Sequence, residues 1–319
     1  MRCLAVLALS FASALAPVSV AAAAQPSDYA KVAEQEARLA AVSYRLTTAG
    51  ARWCPVTAPQ PGWLLNDPRR FDAGAWPAAK LFYGVEGDGP FITAIAPNSP
   101  AARAGLRRGM RIVAINGEIS PDLGDDPPIR IDVVGEQLLN ADPKAAFTVT
   151  DGNGQTYRLD PAPGCASSFR LEDEGRPAVA NGKLVRVRYS LAQSIADDDA
   201  LAAVVAHELA HNILRHRVRI AEASARQGRG SGRPARLVRQ TELEADRLSV
   251  WLMTDAGYDP AAAIRFWQEH DGPLIRAATH PPRRQRIAAI RAEMAAIAAA
   301  RAADPGAPPP LVTSPPLLE

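Results

Sequence analysis

The residues best suited to chemistry in this 319-residue chain are His207, Glu208 and His211, within the run Val204-Val205-Ala206-His207-Glu208-Leu209-Ala210-His211. Histidines four apart share one face of a helix, so both imidazoles can reach one metal ion. Neutral imidazoles suit zinc best among the abundant metals. Glu208 lies beside that face, placed to take a proton from a metal-bound water. With five His in the whole chain, a chance match to this spacing is rare. The bland alternative, two surface histidines and an unrelated acid, fits the surroundings poorly. Leu201, Val204, Val205, Leu209, Ile213 and Leu214 spread around most of the helical wheel, as in a buried helix.

Two histidines do not complete a catalytic zinc site, which usually has three protein ligands. His216 is one position short of the spacing that brings a third histidine back to the metal, and on a continuing helix it would leave the shared face. It is therefore read as a helix-end residue. The better source is a second helix starting at Glu242-Leu243-Glu244-Ala245-Asp246. Glu242 and Asp246 are i and i+4, so Glu242 can ligate while Asp246 accepts the other ring N–H of a ligand histidine. Glu244 points elsewhere and reads as an acidic surface residue. Small Ala245 would let the two helices approach closely. Asp197, Asp198 and Asp199 crowd the start of the first helix, where negative charge suits the dipole.

His280 is followed by two prolines, which hold it in an extended loop. It either polarises the scissile carbonyl, occupies the water position and keeps the site shut, or simply bonds its own loop. Arg286 pairs either with an acid of the metal helices or with a developing oxyanion. Between the two helices, Arg215 to Arg239 carries eight Arg against one acid, Glu222. That stretch reads as a solvated mobile loop, with a lid or an anionic-lipid contact as the sharper alternative.

The composition sets the frame. Hydrophobic content is 47%, ordinary for a globular chain, and the formal charge of +2 gives no reason to expect a nucleic-acid partner. Residues 1–24 resemble a signal peptide: Arg2, an apolar run from Leu4 to Ala16, then Ala22-Ala23-Ala24 ahead of Gln25. An uncleaved anchor is the alternative. Cys54 and Cys165 then remain as an even pair in an oxidising compartment, candidates for one disulfide against the simpler case of two buried thiols.

Residues 25–79 read as an N-terminal helix and an irregular linker. From 80 to 163 the pattern changes to short strands and turns. Phe91 to Ile95 alternates, Ser99 caps a short helix ended by Gly105, and Asn116-Gly117 and Asp151-Gly152-Asn153-Gly154 mark hairpins. Cys54 and Cys165 lie just outside the two ends, so a bridge would pinch the base of this module.

The run Ser99-Pro100-Ala101-Ala102-Arg103-Ala104-Gly105-Leu106, then Gly109 and Ile112 to Gly117, resembles a PDZ domain of the bacterial protease type. By that resemblance Tyr83, Gly84 and Val85 form the loop that holds a peptide C-terminus. Residues 164–303 follow, and 304–319 form a Pro-rich tail expected to be disordered or extended. Within the larger region, His207-Glu208-x-x-His211, Glu242-x-x-Ala245-Asp246, and Thr279-His280-Pro281 with Arg286 resemble the gluzincin peptidase family M48, of HtpX-like, BepA-like and CAAX prenyl protease type.

The resemblance implies an α+β protein, a mostly helical peptidase domain preceded by a small β-rich PDZ-like domain. It implies one Zn2+ on His207, His211 and Glu242, with Glu208, His280 and Arg286 catalytic and Asp246 behind a ligand. The expected function is exported, periplasmic metalloendopeptidase activity on cell-envelope proteins. Protein or peptide substrates are the expected partners, with peripheral contact to the membrane or outer-membrane proteins. A PDZ adaptor with a silent protease site is the alternative.

Overall fold

The computed structural model describes residues 26–72, 74–119, 127–227, 233–269 and 281–319. The signal-like segment, His270 and His280 lie outside them.

The chain opens with helix α1, Pro26–Gly50. Strands β1, Thr57–Pro59, and β2, Trp63–Asn66, follow, then α2, Trp76–Tyr83. The β-rich module continues with β3, Phe91–Ile95; α3, Pro100–Arg103; β4, Ile112–Ile115; β5, Glu118–Ile119; α4, Pro127–Leu139; β6, Phe147–Asp151; and β7, Thr156–Leu159. Strands β8, Pro163–Cys165; β9, Ser168–Glu172; β10, Ala178–Ala180; and β11, Leu184–Arg188, lead into the helical region. That region contains α5, Tyr189–Ser194; α6, Asp198–Ile213; α7, His216–Gln227; α8, Arg233–Asp255; α9, Ala261–Glu269; α10, Arg283–Ala303; and α11, Pro310–Thr313.

In the module, β5-β4-β6-β7 form an antiparallel sheet and β2 pairs antiparallel with β3. Local chemistry explains the turns. Asn116 and Gly117 both have positive φ, 52° and 78°, as a tight β4–β5 hairpin requires. Ser99 Oγ accepts from Ala102 N to cap α3, and Gly105 at φ 83° ends it. Ile92, Ile112, Ile115, Val134, Phe147, Val149 and Leu159 fill one core.

The larger core belongs to the helical region, where α6 and α8 pack together with α9 and α10 against β9 and β11. In that sheet β10 is antiparallel and β9 parallel to β11, so β10 forms one edge. Glu293 ties α10 to α8 by accepting from Trp251 Nε1 at 2.7 Å and Arg247 Nε at 2.6 Å. Asn212 ties α6 to the sheet side through Ser167 Oγ and the Gly182 amide, both at 2.7 Å. No described helix is long and apolar enough to cross a membrane.

Three expectations need correction. The helix expected in residues 25–79 is present as α1, but the stretch after it is not an irregular linker throughout, since β1, β2 and the start of α2 lie in it. Leu39, Val42 and Leu46 of α1 sit in the helical domain's core, because α1 is amphipathic and its apolar side needs cover; β2 supplies a strand to the module. The Arg-rich stretch is not a loop over its described length, since α7 and the start of α8 occupy it. Of the two states expected for the tail, it is not disordered but mostly irregular and anchored, with the short helix α11 inside it. Leu311 and Leu318 are buried, and the Pro316 and Leu317 carbonyls accept from Arg219 and Gln240, each at 2.7 Å. Proline stiffness lowers the entropy cost of fixing such a segment, so a few anchors suffice.

Cys54 and Cys165 are joined, with Cα atoms 5.4 Å apart across 111 residues of sequence. The β1–β8 pairing lies beside the bridge, with Thr57 opposite Cys165. The module therefore leaves the helical domain through a closed neck.

Candidate metal centre

Helix α6 starts on Asp197, whose Oδ1 accepts from Ala200 N at 2.7 Å, with Asp198 and Asp199 in the first turn. Ten of its sixteen residues are buried, so its core-facing positions fix the rotation of the whole helix. His207 and His211 then face α8. Ala245 is fully buried at the crossing, where a larger side chain would hold the helices apart.

Glu242 of α8 meets the two histidines. The His207 and His211 Nε2 atoms are 3.2 Å apart, and each lies 3.5 Å from a Glu242 carboxylate oxygen. A tetrahedral ion with bonds of about 2.0–2.1 Å has ligand–ligand edges of about 3.3–3.4 Å. The 3.5 Å contacts go to different oxygens, Oε2 for His207 and Oε1 for His211, so the carboxylate straddles the two imidazoles. Among the described residues these three offer donor atoms within 4.8 Å of one another, within reach of one ion. Two nitrogens and a carboxylate oxygen also suit a borderline-soft divalent ion.

Asp246 lies one turn along α8 and takes the far side of His207, with Oδ1 3.1 Å from Nδ1. Its carboxyl is held below the usual range: burial works against the charge, and Arg286 and His207 outweigh it. Arg286 of α10 binds both Asp246 oxygens and stacks on Trp267 of α9, with its guanidinium carbon 3.6 Å from the ring centre. Of the two roles read for Arg286, the structure places it on an acid of the metal helices. Burial opposes a charge on His207, but its bonds to Asp246 and Glu242 carry its pKa up to about 9. Burial, then the neighbouring imidazoles, push His211 well below its ordinary value.

The Glu208 carboxyl lies within reach of the backbone of Ala180 on β10 and close enough to Glu242 to feel its charge. Burial, the largest influence, raises its carboxyl, and the negative charge of Glu242 adds to that. A glutamate held above its ordinary value is suited to pass a proton both ways.

Two site readings require correction. Glu244 is not a surface acid: it is 3% exposed, because α7 folds back across that face of α8. Tyr83, Gly84 and Val85 are not a carboxylate-binding loop. They close α2, with the Gly84 and Val85 amides both donating to Lys80 O, and the Tyr83 side chain is buried with its hydroxyl on Glu36. Those amides are spent on the helix end and have nothing left for a peptide terminus.

Sequence reasoning missed Trp267 and the surroundings of His216. Trp267 carries no spacing signal, since α9 comes to the site only through tertiary packing. His216 was placed off the shared face on a continuing helix. Instead the backbone breaks at Arg215, φ 53°, and α7 starts with His216 turned back beneath His211.

Residues 178–227 and 232–294 match the sequence model of Peptidase family M48, and residues 91–120 match that of a PDZ domain. The Mitochondrial metalloendopeptidase OMA1 of Schizosaccharomyces pombe is 32% identical over 120 residues, which is 29% of this chain. The matched stretch spans 36% of that protein's length. His207, Glu208, His211, Glu242, Asp246 and Arg286 all fall within the segments matched by the peptidase model. The metal-binding geometry and the sequence match thus point the same way: the C-terminal region of this chain is similar to the metal-dependent peptidases of family M48, and a segment similar to a PDZ domain lies ahead of it.

Proposed function

We propose that this protein is an exported zinc endopeptidase that hydrolyses peptide bonds of cell-envelope proteins. The observation that carries the reading is the convergence of two imidazole nitrogens and one carboxylate within reach of a single ion, with Glu208 next in sequence to the first imidazole. Zinc held by His207, His211 and Glu242 would polarise the scissile carbonyl and acidify a bound water. Glu208 takes the water proton and returns it to the leaving amine. Asp246, gripped by Arg286, keeps the His207 ring oriented with Nε2 inward.

The edge strand β10 supports cleavage within a chain rather than at a terminus. It lies against α6, and its last residue, Ala180, touches Glu208. An extended substrate pairing along that edge would pass the metal with chain continuing on both sides. The module offers a second place for an extended segment, the cleft between β2 and α4. Trp63, Leu65, Ile131 and Leu138 line it, and Phe169 of β9 faces it. Recruitment there, not terminus capture at Tyr83–Val85, is the role we assign to the module. Export is supported by the signal-like residues 1–24 and the Cys54–Cys165 bridge.

The test is turnover of casein with and without a chelator, with zinc restored afterwards. Loss on chelation and recovery with zinc are expected; turnover indifferent to the chelator rules the reading out. N-terminal sequencing of the secreted protein should begin near Gln25, and a retained Met1 would rule out cleavage there.

A further inference from the structure

Behind His211, on the side away from Glu242, runs a continuous chain of polar contacts that ends on the tail. His211 Nδ1 is 2.8 Å from Nδ1 of His216, and His216 Nε2 is 3.2 Å from Glu244 Oε2. Glu244 in turn accepts from Arg219 Nη1 at 2.6 Å and from Gln240 Nε2 at 3.3 Å. The same two side chains hold the tail backbone: Arg219 Nη2 donates to Pro316 O and Gln240 Nε2 to Leu317 O. Glu319 N returns a bond to Gln240 Oε1 at 3.2 Å, and Leu318 packs with Ala223 and Leu237 of α7 and α8.

The proton order along this chain follows from the chemistry of each group. If His211 Nε2 faces the metal, its Nδ1 carries the proton and donates to His216 Nδ1. His216 then carries its own proton on Nε2 and donates to Glu244, which only accepts. Every donor meets an acceptor, and the ring of His211 is fixed in the tautomer a metal requires. Asp246 does this for His207; the two ligands are braced from opposite sides by different carboxylates.

We propose that residues 314–319 brace the metal site: docked on Arg219 and Gln240, they hold Glu244, which through His216 orients His211 for the metal. His216 and Glu244 are thus positioning residues, and undocking of this segment loosens the metal. The inference rests on the metal-site reading above and adds to it a control point some way from the cleft.

The experiment measures metal affinity of the full chain by competition with a chelator, and the visible absorption of the cobalt-substituted protein. His216→Leu fills the space but bridges nothing; His216→Gln can accept from His211 and donate to Glu244. We expect affinity to fall about 10–100-fold in His216→Leu, with a changed cobalt spectrum, and to stay within about threefold of the parent in His216→Gln. Removal of residues 314–319, which leaves Leu311 in place, should weaken binding several-fold. Parent-like affinity in His216→Leu, or equal loss in Leu and Gln, overturns the positioning role. Parent-like affinity in the shortened chain overturns the brace, and that arm stands even if circular dichroism shows His216→Leu unfolded. A parent protein that takes up no metal would instead sink the underlying reading.

Discussion

Arg286 closes a two-bond fork on Asp246: Nε reaches Oδ2 at 2.7 Å and Nη2 reaches Oδ1 at 2.6 Å, with both side chains only 2% exposed. The same Oδ1 holds His207 Nδ1, so an arginine on α10 sets the orientation of a metal ligand on α6. Lysine keeps the charge but cannot fork. Arg286→Lys should lower metal affinity and peptidase activity about 10–100-fold while the protein stays folded. Arg286→Ala leaves a buried carboxylate without its partner and should cost about 3–5 kcal/mol of stability. Chelator competition and denaturant titration separate the two effects.

Glu208 is argued to move a proton and not to hold metal. Glu208→Gln should therefore reduce turnover by about two to four orders of magnitude. Metal content should remain near one per chain, read by atomic absorption. Retained cleavage would remove Glu208 from the mechanism. The same variant offers a trap for identifying bound substrates.

Glu36 predicts a pH dependence of stability that has nothing to do with catalysis. It is 4% exposed under α2 and accepts the Tyr83 hydroxyl at 2.9 Å. Burial pushes its carboxyl from 4.5 up to about 7. Between those values the folded chain keeps a proton that the unfolded chain has released. Stability from this group is therefore full below 4.5, declines as pH rises to 7, and is level above. The loss amounts to as much as about 3 kcal/mol. Glu36→Gln should match the parent at pH 4.5 and melt higher at pH 8; a parent-like melting profile at both would refute the shift.

The Cys54–Cys165 bridge closes the neck of the module. Replacing both with Ala should cost about 2–5 kcal/mol, mostly by freeing the unfolded chain. Metal affinity should not change, because neither cysteine approaches α6 or α8 near Glu242. Equal melting temperatures with and without reductant would show that the bridge contributes nothing.

The parts of the molecule legible in the sequence were those governed by local rules. Helical spacing put His207 and His211 on one face, and i, i+4 logic paired Glu242 with Asp246. Ser99, Gly105 and Asn116-Gly117 announced their caps and turns through their own backbone preferences. What stayed illegible depended on distant packing. Glu244 looks exposed on an isolated helix and is buried only because Arg215 takes a left-handed turn and brings α7 back over it. Tyr83–Val85 resembles a binding loop in its residues, yet Trp76 to Tyr83 finds better cover as a helix against α1 and Phe91. The tail's prolines suggested disorder, but composition alone does not reveal Arg219 and Gln240 waiting for two carbonyls.

Because α1 packs on α6 and α8 as well as on α2 and β3, the first of the described helices completes its cover only about 150 residues later. The β-rich module emerges in the interval with a core of its own and can fold first, leaving Leu64 and Ala94 to meet the helical domain afterwards. Oxidation of Cys54 with Cys165 would then park α1 next to the point where the remaining helices arrive, shortening their search. Assembly would run from the middle of the polypeptide outward, and refolding under reducing conditions should be slower than under oxidising ones.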